Sequence, residues 1–96
     1  MSVKFGDVDT FPGVTPSKAQ VLKVVGESAE VFAAWRDWHA DPSAGKADFV
    51  LYECADVVQA IANLVASMGV VDMTPSIEMC RRVNEARGRF KDVRHE

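Results

Sequence analysis

Apolar residues recur at helical spacing over three stretches of this chain, separated by short polar breaks that contain proline or glycine. The first run carries Val21, Leu22, Val25, Ala29, Phe32, Ala33 and Trp35 and predicts a helix over 17–39. Thr15-Pro16 offers its entry: a threonine N-cap, then a proline whose missing N–H costs nothing in the first turn. Asp41-Pro42 stops it, because the residue before a proline is pushed out of helical backbone. A second helix is expected from Lys46 or Ala47 to Met68, with Gly69 as its cap. It has two apolar stripes, one through Phe49, Tyr52, Ala55 and Ala62, the other through Leu51, Val57, Ile61, Leu64 and Met68. A helix apolar on more than one side is usually buried on more than one side. Thr74-Pro75 repeats the threonine–proline entry and opens a third helix with Ile77, Met79, Cys80 and Val83, which Gly88 ends. Residues 1–14 contain Gly6, Pro12 and Gly13 and show no helical period. They read as an irregular arm with a short extended piece around Val3–Phe5.

The expected fold is all-α: an antiparallel helical hairpin plus a third helix, assembling into an oligomeric helical bundle. The chain divides into an arm (1–14), a helical domain (15–90) and a basic, polar tail (91–96), with no internal repeat. Composition explains the oligomer. Hydrophobic residues make up 48% of 96 residues, a load that a single layer of helices leaves partly exposed. The net charge of −3 gives no general pull towards nucleic acid or an anionic membrane. Cys54 and Cys80 have no metal-type spacing and are too few for a disulfide framework, so reduced thiols are expected. The amino terminus has acidic residues where a signal peptide needs an apolar run, and no segment is expected to reach the length of a bilayer span. A soluble, cytoplasmic protein follows from these readings.

The candidate chemistry lies in two acidic spacings, Glu27-Ser-Ala-Glu30 and Glu53-Cys-Ala-Asp56. Residues three apart on a helix share a face. Both pairings, 30 with 53 and 27 with 56, centre between residues 41 and 42, at the Asp41-Pro42 break. A chain folding back there sets Glu30 opposite Glu53 and Glu27 opposite Asp56. Small neighbours (Ser28, Ala29, Cys54, Ala55) allow close approach, and apolar flanks (Val24, Val25, Val31, Phe32, Val57, Val58) place the acids at the edge of a core. An acidic pair on a helix is ordinarily a solvated face. Four converging carboxylates are different, because two unit charges about 6 Å apart repel by roughly 3 kcal/mol at an effective dielectric of about 20. Only Lys23 is spaced to offset any of them. A divalent cation reverses the sign, and all-oxygen ligands suit Mg²⁺ or Mn²⁺ rather than zinc. Magnesium held this way keeps coordination positions for phosphate oxygens, so a phosphate ester or anhydride is the expected substrate.

With these motifs the chain resembles the MazG-like, all-α nucleoside triphosphate pyrophosphohydrolase superfamily. Gly26-Glu27-Ser28-Ala29-Glu30 stands where that family has Glu-Glu-x-x-Glu, and Glu53-Cys54-Ala55-Asp56 where it has Glu-x-x-Asp. Asn84-Glu85-Ala86-Arg87-Gly88-Arg89 resembles the ending of its short phage- and prophage-type members. The likeness covers residues 17–90 and departs at Gly26, the position of the family's first glutamate. It implies that Glu27, Glu30, Glu53 and Asp56 hold Mg²⁺. It further implies hydrolysis of a nucleoside triphosphate to the monophosphate and pyrophosphate, in dimers or tetramers.

Within that reading Glu27 is the first choice for orienting the attacking water. Asn84, Arg87 and Arg89, with Arg82 and Lys91, are candidates for holding phosphate, arginine because its fork donates two parallel hydrogen bonds. The arginines alternatively form a solvated helix end at the negative pole of the dipole. Asn63, two turns beyond Asp56, reads either as a group for sugar or phosphate or as a hydrogen-bonded interior asparagine. Trp35, Trp38 and Tyr52 are core aromatics or a stacking surface for a base. His39 suits a helix end, and His95 lies in the tail. Two other classes stay open: a weakened relative that only binds nucleotide or serves assembly, and a DNA-binding regulator reading through the third helix.

Overall fold

The computed structural model describes residues 1–91, so Asp92–Glu96, which carry His95 and most of the expected tail, lie outside the described residues. Three helices and no strand form among the described residues: α1 (Lys18–Ala40), α2 (Ala44–Ser67) and α3 (Thr74–Ala86). Each expected helix is present, with ends shifted by one to three residues. Ser17 rather than Thr15 occupies the N-cap of α1, so Thr15 and Pro16 remain in the arm. At α2 the cap is Ser43, whose hydroxyl accepts the Lys46 N–H at 3.2 Å, and the helix starts two residues earlier than its apolar pattern suggested. Thr74 is the first residue of α3, with Met73 as its N-cap. Asp72 orders that entry, its carboxylate accepting the Thr74 N–H at 2.9 Å. This bond holds the Asp72 carboxyl below its ordinary range. The arm forms no strand at Val3–Phe5.

Two glycines end helices as their places in the sequence imply. Gly69 has φ +83° and donates to Ala66 at 2.9 Å, while Val70 donates to Val65 at 3.0 Å. Gly88, at φ +74°, donates to Glu85 at 2.9 Å, and Arg89 donates to Asn84 at 3.0 Å. Both pairs close the last carbonyls of a helix through a left-handed residue that glycine adopts without a Cβ clash.

α1 packs against α2, whereas α3 packs against neither. On α1 the positions removed from solvent are Gln20, Val24, Glu27, Val31, Ala34 and Trp38, spaced four and three alternately. On α2 the matching seam runs through Val50, Glu53, Val57, Ala60 and Leu64. Alternation of four and three residues keeps one stripe of side chains on a neighbouring helix. The apolar stripe most evident in the α1 sequence is a different one. Val25 is 62% exposed and Phe32 60%, with Val21, Leu22 and Trp35 also open to solvent. The reason is geometric: α1 is apolar over an arc wider than one neighbouring helix covers, and α2 occupies the side that carries Glu27.

The chain is open for its size. Its radius of gyration is 16.2 Å, against about 12 Å for a compact domain of this length. It exposes 7870 Å², against about 5,400 Å² for a compact monomer of this mass. Ala34 and Ala60 are the buried apolar residues. One expectation is corrected. With 24 residues and a best window of mean hydropathy 1.5, α2 is long and apolar enough to cross a membrane by length and composition. Periodic breaks in the sequence concealed this because Glu53 and Asp56 interrupt the run. Both carboxylates face α1 and would be costly at a bilayer centre.

Candidate metal centre

The site is assembled from α1 and α2 at the level where each turns an acidic position inward. Glu27 comes from the inward seam of α1, Glu53 from that of α2, and Asp56 from one turn beyond Glu53 on α2. One carboxylate oxygen of each lies within 4.8 Å of the others. Glu53 is 7% exposed and Glu27 and Asp56 are half-buried. Burial, and then the charges of Asp56, Glu30 and Glu27, raise the Glu53 carboxyl above its ordinary range. Three of the four expected carboxylates therefore meet. Glu30 is exposed and stands outside the group of three, yet near enough for its charge to act on Glu53.

Among the described residues, Lys23 is the cation that reaches this cluster. Lys23 Nζ lies 2.9 Å from Glu27 Oε1, one turn earlier on α1. The hydrogen bond to Glu27, that residue's charge and the charge of Asp56 hold the Lys23 ammonium above its ordinary value. Among the described residues no lysine or arginine pairs with Glu30, Glu53 or Asp56. The donor set is all oxygen and its negative charge exceeds its compensation, so the three carboxylates could hold a metal ion.

A cavity of about 490 Å³ opens beside the cluster, with Lys23, Glu27 and Asp56 on its wall. That is within the range of small-molecule sites. Apolar lining comes from Phe11 and Val14 of the arm, Ala19 of α1 and Ala60 of α2. The arm is tied down here by two side-chain amides of α2. Gln59 Nε2 donates to the Asp9 carbonyl at 2.8 Å, and the Phe11 N–H donates to Asn63 Oδ1 at 3.0 Å. Gln59 Nε2 also donates to Asn63 Oδ1 at 3.2 Å. Asn63, 6% exposed, is thus a hydrogen-bonded interior asparagine that also lines the cavity.

The other expected substrate groups are elsewhere. Asn84, Arg87 and Arg89 sit at the end of α3, where Arg89 Nη1 donates to Asn84 Oδ1 at 2.8 Å. None of them lines the cavity beside the carboxylates. Trp35 stacks on His39 with centroids 4.7 Å apart, and Tyr52 on Phe49 at 6.1 Å, both pairs on exposed surface. Gln59 and Phe11 are site residues that sequence reasoning passed over, and Lys23 is one it noted only as offsetting charge. Lys23 carried a signal in its spacing from Glu27, and Gln59 in standing one turn from both Asp56 and Asn63. Phe11 carried none, because an aperiodic arm has no register to read. No family model, curated protein or solved structure matches the chain.

Proposed function

We propose that this protein is a Mg²⁺-dependent nucleoside triphosphate pyrophosphohydrolase, releasing nucleoside monophosphate and pyrophosphate, and a relative of the MazG-like enzymes it resembles. The observation that carries the reading is the convergence of Glu27, Glu53 and Asp56 within 4.8 Å beside a cavity large enough for a ligand. Glu53 and Asp56, with Glu27 from the facing helix, would hold the metal, with Mn²⁺ as a substitute, while Glu30 adds negative charge beside them. A metal held there would lower the pKa of a bound water and neutralise phosphate charge. Glu27 would orient the water that attacks the α-phosphorus, and Lys23, on the cavity wall, would offer positive charge to the phosphate chain. Asn84, Arg87 and Arg89 contribute from α3 when the assembled protein brings that helix to a site.

The helix pair is an antiparallel hairpin on this reading. Lys46 Nζ lies 3.8 Å from Asp37 Oδ1 beside the short link, and Glu27 meets Asp56 further along both helices. Self-association into a dimer or tetramer is supported by the exposed stripe of α1 and by an α3 that packs against neither α1 nor α2. A cytoplasmic location is part of this reading, in keeping with a nucleoside triphosphate substrate.

Pyrophosphate release from canonical and modified nucleoside triphosphates, with Mg²⁺, with Mn²⁺ and with chelator, tests the activity. Release that depends on metal and disappears in Glu53→Gln supports it; release unaffected by that substitution overturns it. Gly26 favours a second reading, a weakened enzyme that binds nucleotide without turnover. Space at Gly26 is open, a Cβ there meeting nothing within 4 Å, so Gly26→Glu is accommodated. Binding without turnover in the native chain, and turnover in Gly26→Glu, would decide for that second reading.

A further inference from the structure

The cavity beside the carboxylates has two chemically different walls, and the sequence motifs account for only one of them. Lys23, Glu27 and Asp56 supply charge suited to a metal and a phosphate chain. The opposite chemistry comes from the arm, where Phe11 adds an aromatic ring with Val14 behind it. Phe11 is 58% exposed, so its ring is available to a ligand rather than spent on the core. Its position is set by backbone hydrogen bonds on both sides: the Asp9 carbonyl is held by Gln59 and the Phe11 N–H by Asn63. Asn63 uses only its oxygen for this. Its amide nitrogen has no acceptor among the described residues, and no buried side-chain nitrogen or oxygen there lacks a partner, so that nitrogen keeps some solvent access in a side chain that lines the cavity.

We propose that the arm builds a nucleoside subsite, in which Phe11 stacks on the base and decides which base is accepted, while Asn63 holds Phe11 in place and donates its free amide to the ligand. This rests on the hydrolase reading for the triphosphate end and adds a recognition site for the other end. The ligand class is an amphiphile with a flat aromatic group joined to a phosphate chain. A purely anionic ligand would leave the aromatic wall unused. A neutral apolar ligand would leave the carboxylate of Asp56 without a cation, since Lys23 already pairs with Glu27.

The test is calorimetric binding in Mg²⁺ of a set of α,β-methylene nucleoside triphosphates carrying different bases, with inorganic triphosphate as the probe that lacks a nucleoside. Phe11→Ala weakens the nucleotides about five- to a hundredfold, the range that base–aromatic stacking spans, and leaves inorganic triphosphate unchanged. Phe11→Trp restores binding and shifts the order of preferred bases. Equal weakening of inorganic triphosphate and nucleotides, or no change in Phe11→Ala, overturns the subsite. Because Phe11 is exposed on the arm, neither substitution threatens the helix pair. Pyrophosphate release from the unmodified substrates is followed in parallel. Base-selective binding without release would support the subsite while overturning the hydrolase reading. Failure of every nucleotide to bind would overturn both.

Discussion

Replacing Glu53 with glutamine removes one charge from the carboxylate cluster while keeping the side chain's size. Two unit charges 4.8 Å apart, the limit within which these ligand oxygens lie, repel by several times the thermal energy at an effective dielectric of about 20. Burial of Glu53 at 7% exposure, and after it this repulsion, raise its carboxyl above the ordinary range. The sign of the linkage follows. An acid whose pKa is raised by folding stabilises the fold below its ordinary value of 4.5, and that contribution is lost as pH climbs through the shifted value. The metal-free native protein therefore loses stability from this group as pH rises from about 4 towards neutrality, and Glu53→Gln does not. Metal reverses the comparison. At a hundred times its dissociation constant a bound cation raises the melting midpoint of a domain this size by about 10–20 °C. Loss of one ligand that weakens binding tenfold roughly halves that rise at the same metal concentration. Thermal unfolding of both proteins, from pH 4 to 8 with and without Mg²⁺, reads out all of this. A variant that melts below the native protein without metal at neutral pH, or gains as much from Mg²⁺, would refute the electrostatic argument.

Two further predictions concern the scaffold. Ser43→Ala removes the hydroxyl that accepts the Lys46 N–H at the start of α2, and chemical denaturation should show a loss of about 0.5–2 kcal/mol. Phe32→Glu places a charge in the exposed stripe of α1 and should shift sedimentation from an assembled species to monomer, with little change in helix content by circular dichroism.

The helices themselves were legible from residue order, because their signals are local. Periodic apolar positions, the Asp41-Pro42 stop and the glycines at 69 and 88 act within a turn or two of backbone, and α1, α2 and α3 lie where those signals place them. Much of the acidic site was legible too, since spacing of three residues on a helix fixes a shared face and symmetry about the break fixes the level. Which face of α1 would turn inward was not. Val21, Val25, Phe32 and Trp35 form the more apolar stripe, yet the stripe through Glu27, Val31 and Ala34 meets α2. Facing surfaces are chosen by the fit of two helices at once, which no single helix encodes. For the same reason Glu30 stands outside the three carboxylates that meet, and α3 carries Asn84, Arg87 and Arg89 away from them. The arm is the extreme case. Its seat depends on backbone groups of Asp9 and Phe11 finding Gln59 and Asn63, some fifty positions along the chain. Backbone N–H and carbonyl groups are the same in every residue but proline, which lacks the N–H, so only the tertiary structure could decide where they bind.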